Sequence, residues 1–220
     1  MTGVQTCALP ISFVNQSITV TLEDGSYRTY EINIQRYLEQ LYKRGESKEE
    51  TALAANMISY LASSAVYFYK NTAKANAALA VRDTVLGAGY DEANKASSLV
   101  GYTAEALTEG CGIKGAGLSL AERPTFYFVL ADGERAENVS FRIGECALRY
   151  ETVLVDGDTY FILKQSPDTL LETVTYKVGE KEGTFNLFAY YDYAMNNDSD
   201  LATLIKRLVA YVDSVNALFS

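Results

Sequence analysis

Residues 147–164 read ALRYETVLVDGDTYFILK, and this stretch decides the fold class. Apolar and polar side chains alternate along Ala147–Leu154 and again along Thr159–Lys164. That is the period of a half-buried strand. Asp156-Gly157 between them is a tight-turn signal, so the stretch predicts a β-hairpin. Working outward, the same period marks strands at Ala116–Leu120, Thr125–Leu130, Val139–Ile143, Glu172–Val178 and Thr184–Phe188. Asp132-Gly133, Gly144, Ser166-Pro167-Asp168 and Gly179 punctuate them. Short strands at this spacing predict a small antiparallel β-sandwich of immunoglobulin-like type.

On both sides of the sandwich the period turns helical. Ser17–Glu23 and Tyr27–Ile34 alternate around Asp24-Gly25, a second hairpin. Gln35–Lys43 then places Tyr37, Leu38, Leu41 and Tyr42 on one helical side. Ser47-Lys-Glu-Glu50 has capping-box spacing. Behind it a helix runs to about Tyr69, with Leu53, Met57, Tyr60, Leu61, Ser64, Tyr67 and Phe68 as its stripe. Ala73–Val85 and Asp91–Glu109 read as helices broken at Gly87–Tyr90, and Gly110–Gly117 as a boundary. After the sandwich come a short helix, Tyr190–Asn196, a cap at Asn197-Asp198-Ser199, and a helix from Asp200 to about Phe219. Leu201, Leu204, Ile205, Leu208, Val212, Val215 and Phe219 form its stripe.

The two ends share one order of parts: hairpin, short Tyr-rich helix, polar loop, longer amphipathic helix. Tyr37 aligns with Tyr191, and Tyr60 and Phe68 align with Tyr211 and Phe219 at one shared offset. Ser17–Tyr69 therefore reads as a repeat of Glu172–Phe219, with a longer first loop at Arg44–Lys48. The first copy lacks the earlier strands of a sandwich. Residues 1–12, MTGVQTCALPIS, carry no charge and no structural period, and resemble a translated sequencing adapter. The division expected is 1–12 as artefact, 13–70 as a truncated repeat unit, 71–111 as an Ala-rich helical linker, and 112–220 as sandwich plus C-terminal helix pair.

Composition excludes several classes of chemistry. The 220 residues hold 28 acidic and 19 basic side chains, a net charge of −9, which argues against neutralising nucleic-acid phosphates. There is no His, which removes imidazole triads and His-ligated zinc. Cys7 falls in the excluded segment; Cys111 and Cys146 are either paired or two small thiols, the second being favoured. No apolar run approaches the ~18–20 residues of a membrane span.

Three carboxylate pairs invite an acid–base reading: Glu49/Glu50, Asp156/Asp158 and Asp198/Asp200. Each also has an ordinary use, in a first helical turn, a hairpin turn or a cap. Asp156–Asp158 and Asn196–Asp200 offer oxygen ligands for calcium, but neither follows an EF-hand loop. No nucleophile-elbow, dinucleotide or P-loop motif occurs. The chain has 17 Tyr, nine of them in the helix pairs, where packing is the simpler reading. Tyr150 and Tyr160, near the 156–157 turn, are the candidates for an exposed sugar platform.

Tyr30-Glu-Ile-Asn-Ile-Gln-Arg-Tyr37, Ile58-Ser-Tyr60, Val66-Tyr-Phe68 and Lys70-Asn-Thr72, with Phe188-Ala-Tyr-Tyr191, Leu208-Val-Ala-Tyr211 and Asn216-Ala-Leu-Phe219, carry a resemblance. Together they resemble a recurrent unit of large secreted or surface proteins of anaerobic Gram-positive bacteria. The resemblance implies a small β-sandwich before each helix pair and a secreted or cell-surface location, and it supplies no site residues. The expected fold is α+β, a small antiparallel immunoglobulin-like sandwich with appended, repeated helical hairpins. The expected function is a non-enzymatic structural or interaction module, without cofactor or metal, whose partners are neighbouring domains of the same polypeptide. The alternative is a module that binds a glycan or a host or cell-surface protein through exposed aromatics of the sandwich.

Overall fold

The computed structural model describes residues 15–21, 26–70, 72–90, 99, 101–120, 124–166 and 169–220. The first elements are strands β1 (Asn15–Thr21) and β2 (Tyr27–Asn33), then helices α1 (Ile34–Arg44), α2 (Lys48–Tyr69) and α3 (Ala73–Leu86). Eight strands follow: β3 (Ile113–Leu120), β4 (Pro124–Leu130), β5 (Val139–Ile143), β6 (Cys146–Ala147), β7 (Glu151–Val155), β8 (Asp158–Lys164), β9 (Val174–Val178) and β10 (Lys181–Phe185). Helices α4 (Leu187–Asn197) and α5 (Ser199–Phe219) close the chain. The turn at Asp24-Gly25 and that at Pro167-Asp168 lie outside the described residues, as does 1–14.

The expected α+β class and the two antiparallel layers are present. One four-stranded sheet has the order β3-β4-β8-β7 and the other β10-β9-β5-β6. Their facing sides supply a phenylalanine-rich core. Phe126, Phe128, Phe161 and Leu163 come from the first sheet; Phe141, Val174, Tyr176, Val178 and Phe185 come from the second. The Phe128 ring lies 4.9 Å from Phe141, tilted by 43°, and 5.6 Å edge-on from Phe185, the T-shaped geometry that aromatic quadrupoles favour. Gly183 sits under the phenol of Tyr176, its cross-strand partner, where any Cβ would collide with that ring.

Helix α2 begins where its cap predicts. Ser47 Oγ accepts the Glu50 N–H at 3.1 Å, while the Glu50 carboxylate reaches back to the Glu46 N–H at 2.7 Å, one residue before the position a capping box uses. The burial of α2 wraps well round the helix rather than following one stripe, because α1, α3 and α5 all pack on it. Leu38 of α1 meets Ile58 and Leu61, with Val85 and Leu86 of α3 alongside. Helices α2 and α5 run antiparallel. Tyr60 stacks on Tyr211 with centroids 5.9 Å apart, and Asn56 Nδ2 donates to Ser214 Oγ at 2.5 Å. Leu201, Ile205, Leu208, Val209 and Val212 carry the α5 face into the sandwich cluster.

Four expectations are corrected. First, the helix expected over Asp91–Glu109 is absent over its described part beyond Leu99. Residues 102–107 are without regular structure, Gly101 has φ +95°, and the chain instead pairs with Asn186. Asn186 N–H donates to the Glu105 carbonyl, the Glu105 N–H to Asn186 Oδ1, and Asn186 Nδ2 to the Thr103 carbonyl. Second, the strand expected over Ala147–Leu154 is broken at residues 148–150, where the chain crosses from one sheet to the other. Tyr150 pins that crossing through its ring and hydroxyl. Third, the last strand ends at Phe185 rather than Phe188, because Asn186 Oδ1 accepts the Phe188 and Ala189 N–H groups and starts α4. Fourth, two aromatic positions of the expected stripes face solvent: Tyr37 is 63% exposed and Phe219 80%.

Candidate interaction surface

A strand buried on one face alternates; one apolar on both faces signals that both faces meet something. β4 reads PTFYFVL and β8 DTYFILK. Phe126, Phe128, Phe161 and Leu163 point into the core, so period two sends Tyr127, Val129, Tyr160 and Ile162 outward. The register lines these up in rows. Val153, Tyr160, Val129 and Gly115 form one, and Glu151, Ile162, Tyr127 and Gly117 the next. The outward apolar side chains, Tyr127, Val129, Val153, Tyr160 and Ile162, stand outside both described core clusters. Tyr127 and Tyr160 are diagonal cross-strand neighbours, about 7–8 Å apart, within reach of each other's rings. A Cβ added to Gly117 would meet nothing, so a bare strip of backbone flanks Tyr127.

Ion pairs close both ends of this face. Lys164 Nζ meets Glu151 at 2.6 Å. Lys114 Nζ meets Asp132 and Asp158, each at 2.7 Å, and those two carboxylates hold its ammonium above the ordinary lysine range.

Tyr150 and Tyr160 are not brought together. The Tyr150 ring packs edge-on against Phe161 at 5.4 Å and Phe141 at 5.3 Å, and its hydroxyl donates to the Val139 carbonyl at 2.8 Å. Tyr160 is the strand neighbour of Phe161 and therefore points to the opposite side of the sheet. The residue that shares the outer face with Tyr160 is Tyr127.

A polar concavity, of about 300 Å³, lies where residues 101–105 pass the start of α4 and the end of α5. Tyr102 stacks on Phe188 with centroids 4.2 Å apart and donates its hydroxyl to Asp213 at 2.6 Å. Burial raises the Tyr102 phenol pKa most, followed by the Asp213 hydrogen bond and charge. Burial also raises the Asp213 carboxyl, against the lowering effect of that hydrogen bond. Glu105 is held by Thr184, and Asn186 by the backbone pairs above, so these two cleft residues serve the fold.

The carboxylate pairs each have local work. Glu50 takes a backbone N–H, Asp158 takes Lys114, and Asp198 caps α5 by accepting from Asp200 and Leu201 at 3.1 Å. Asn196 and Asn197 donate to carbonyls four residues back. Among the described residues no group of three or more His, Cys, Asp or Glu is placed to hold a metal ion. Cys111 and Cys146 are free thiols. No described helix is long and apolar enough to cross a membrane. No protein family, curated protein or solved structure matches the chain.

Proposed function

We propose that the chain is a non-enzymatic structural and interaction module of a larger secreted or surface protein, built from two copies of a hairpin-plus-helix-pair unit docked back to back. One observation carries this reading. Tyr60 and Tyr211, which the sequence aligns with each other, are the two rings that meet where α2 and α5 cross. A contact between equivalent positions maps onto itself when the copies are exchanged, as in an isologous interface. The sandwich is read as immunoglobulin-like from its strand order. Lettered in chain order, β3-β4-β8-β7 corresponds to ABED and β10-β9-β5-β6 to GFCC′. The acidic surface and the structural engagement of the candidate acids favour the same reading over an enzyme.

The test is a double-mutant cycle at the crossing. Tyr60→Ala and Tyr211→Ala should each destabilise the chain to urea, and the double variant should cost less than their sum by about 0.5–1.5 kcal/mol. Strict additivity would remove the docked-copy reading.

The outer face of the β3-β4-β8-β7 sheet favours a second reading, a glycan- or protein-binding module whose outward, half-buried aromatics are Tyr127 and Tyr160. Retention of the chain on neutral polysaccharide gels, abolished by Tyr160→Ala and unaffected by Tyr37→Ala, is the outcome it expects.

A further inference from the structure

Four strands stand at the edges of the two sheets, and three of them are blunted. β3 carries a register shift between Ile113 and Gly115, β6 is two residues long, and β10 exposes Lys181 and Glu182. Bulges, short length and charge are the ordinary defences of an edge. β7 has none of them along its middle. All five of its residues are exposed, and Val153, Leu154 and Val155 are among the large apolar side chains open to solvent.

The hairpin also sets which backbone groups face out. Asp156 and Gly157 have φ +51° and +90°, the signs of a type I′ turn, so Val155 and Asp158 are its hydrogen-bonded closing pair. Bonded and non-bonded pairs alternate in an antiparallel ladder. Val153 and Glu151 therefore bond to β8, whereas Thr152 and Leu154 turn their N–H and C=O groups away from the sheet.

We propose that this edge pairs with β7 of a second copy of the chain, antiparallel, about a two-fold axis at Val153. Thr152 of each copy then exchanges both backbone hydrogen bonds with Leu154 of the other. Val153 meets its own counterpart in the closer, non-hydrogen-bonded pair, and the eight strands form one continuous sheet. Charge selects this direction. Arg149 is exposed at one end of the strand, and Asp156 and Asp158 stand at the other. The antiparallel arrangement brings each Arg149 beside the other copy's acidic turn, at both ends of the interface. A parallel arrangement would oppose Arg149 to Arg149 and acid to acid. The proposal goes beyond the module reading above and does not depend on the α2/α5 contact.

The experiment is sedimentation equilibrium of the full chain over a wide concentration range, at low salt. The mass should rise with concentration toward twice that of the monomer. Leu154→Pro, which removes only an outward N–H, and Leu154→Lys should each raise the dissociation constant at least tenfold, and Arg149→Glu should weaken association at low salt more than at high salt. Circular dichroism checks that each variant is folded. If Leu154→Pro fails to fold, cysteine scanning in a Cys7→Ser, Cys146→Ser background decides. Val153→Cys should form a disulfide-linked dimer on mild oxidation, and Thr152→Cys should not. A monomer at every concentration, or a dimer indifferent to Leu154→Lys with no cross-link at Val153→Cys, would overturn the proposal.

Discussion

The hairpins that precede the two helix pairs have the same local form and different sheet neighbours. β1–β2 stands as a two-stranded sheet, whereas β9–β10 has β5 along its other side and a second sheet across the core. The helices that follow differ in the same sense. α4 starts at Asn186 and buries Leu187 and Phe188 in the sandwich cluster; among the described side chains of α1 the buried one is Leu38, set in a small cluster with α2 and α3. On this contrast hydrogen-bonded pairing alone is expected to leave β1–β2 less stable than β9–β10. A third strand or an apolar face beneath a hairpin makes the difference, since an isolated hairpin is marginal in water.

The largest expected effect breaks the better-embedded side. Phe161 is fully buried between Phe141 and Tyr150, so Phe161→Ala should cost about 3–5 kcal/mol by lost transfer energy and an uncollapsed cavity. Urea unfolding followed by near-ultraviolet dichroism reads this. The β9–β10 amides should lose exchange protection in step with the loss of stability, while those of α2 next to Leu38 should lose less.

A smaller change targets the joint of β10 and α4. Asn186→Ala removes a helix cap and leaves the Glu105 N–H and the Thr103 carbonyl without their partner. The expected cost is about 1–3 kcal/mol in the same assay, from the lost cap and the stranded polar groups. No equal effect is expected from Asn56→Ala, whose hydroxyl partner Ser214 also bonds its own helix.

Alkaline pH sharpens the comparison at the helix seam, where Tyr60, Tyr67, Tyr190 and Tyr211 gather. Burial first, and the neighbouring Tyr211 second, push the Tyr60 phenol from 10.0 up to about 12. Burial is also the leading cause of the raised values of Tyr67, Tyr190 and Tyr211. A raised pKa means the folded state holds its proton more tightly. That stability is complete below pH 10 and is lost as the pH climbs toward about 12. Far-ultraviolet dichroism with tyrosinate absorbance should show helix loss across this window, and Tyr60→Phe should move it upward. An unchanged midpoint would sever the seam tyrosines from alkaline stability.

Much of this architecture was legible in the residues, and the failures have physical causes. Alternation and Asp-Gly dipeptides located β7 and β8, and Ser47 with Glu50 located the start of α2. Alternation continues through Leu148-Arg-Tyr150, so it gave no sign that the chain changes sheets there. That crossing is held by bonds back to β5, from the Leu148 N–H to the Phe141 carbonyl and from the Tyr150 hydroxyl to the Val139 carbonyl, each at 2.8 Å. The hairpin register sets Tyr160 opposite Val153, so Tyr150, three residues back along the chain, falls on the other face and the two do not form one platform. The signal for Tyr127 was present in TFYFV, apolar at every position after Thr125, but a both-faced strand is recognised only once its core face is known. Asn186 sat inside a strand-like run; its cap is local, to Phe188 and Ala189, but its other partners, Thr103 and Glu105, are distant in sequence.

The contrast between the hairpins rests most directly on native-state hydrogen exchange of the full chain. Amides at Thr19 and Val20 in β1 should exchange through local opening, far faster than those at Thr175 and Tyr176 in β9, which should require opening of the sandwich. Equal, strong protection of the two hairpins would contradict the account, because β1–β2 would then have a stabilising neighbour that a two-stranded sheet does not supply.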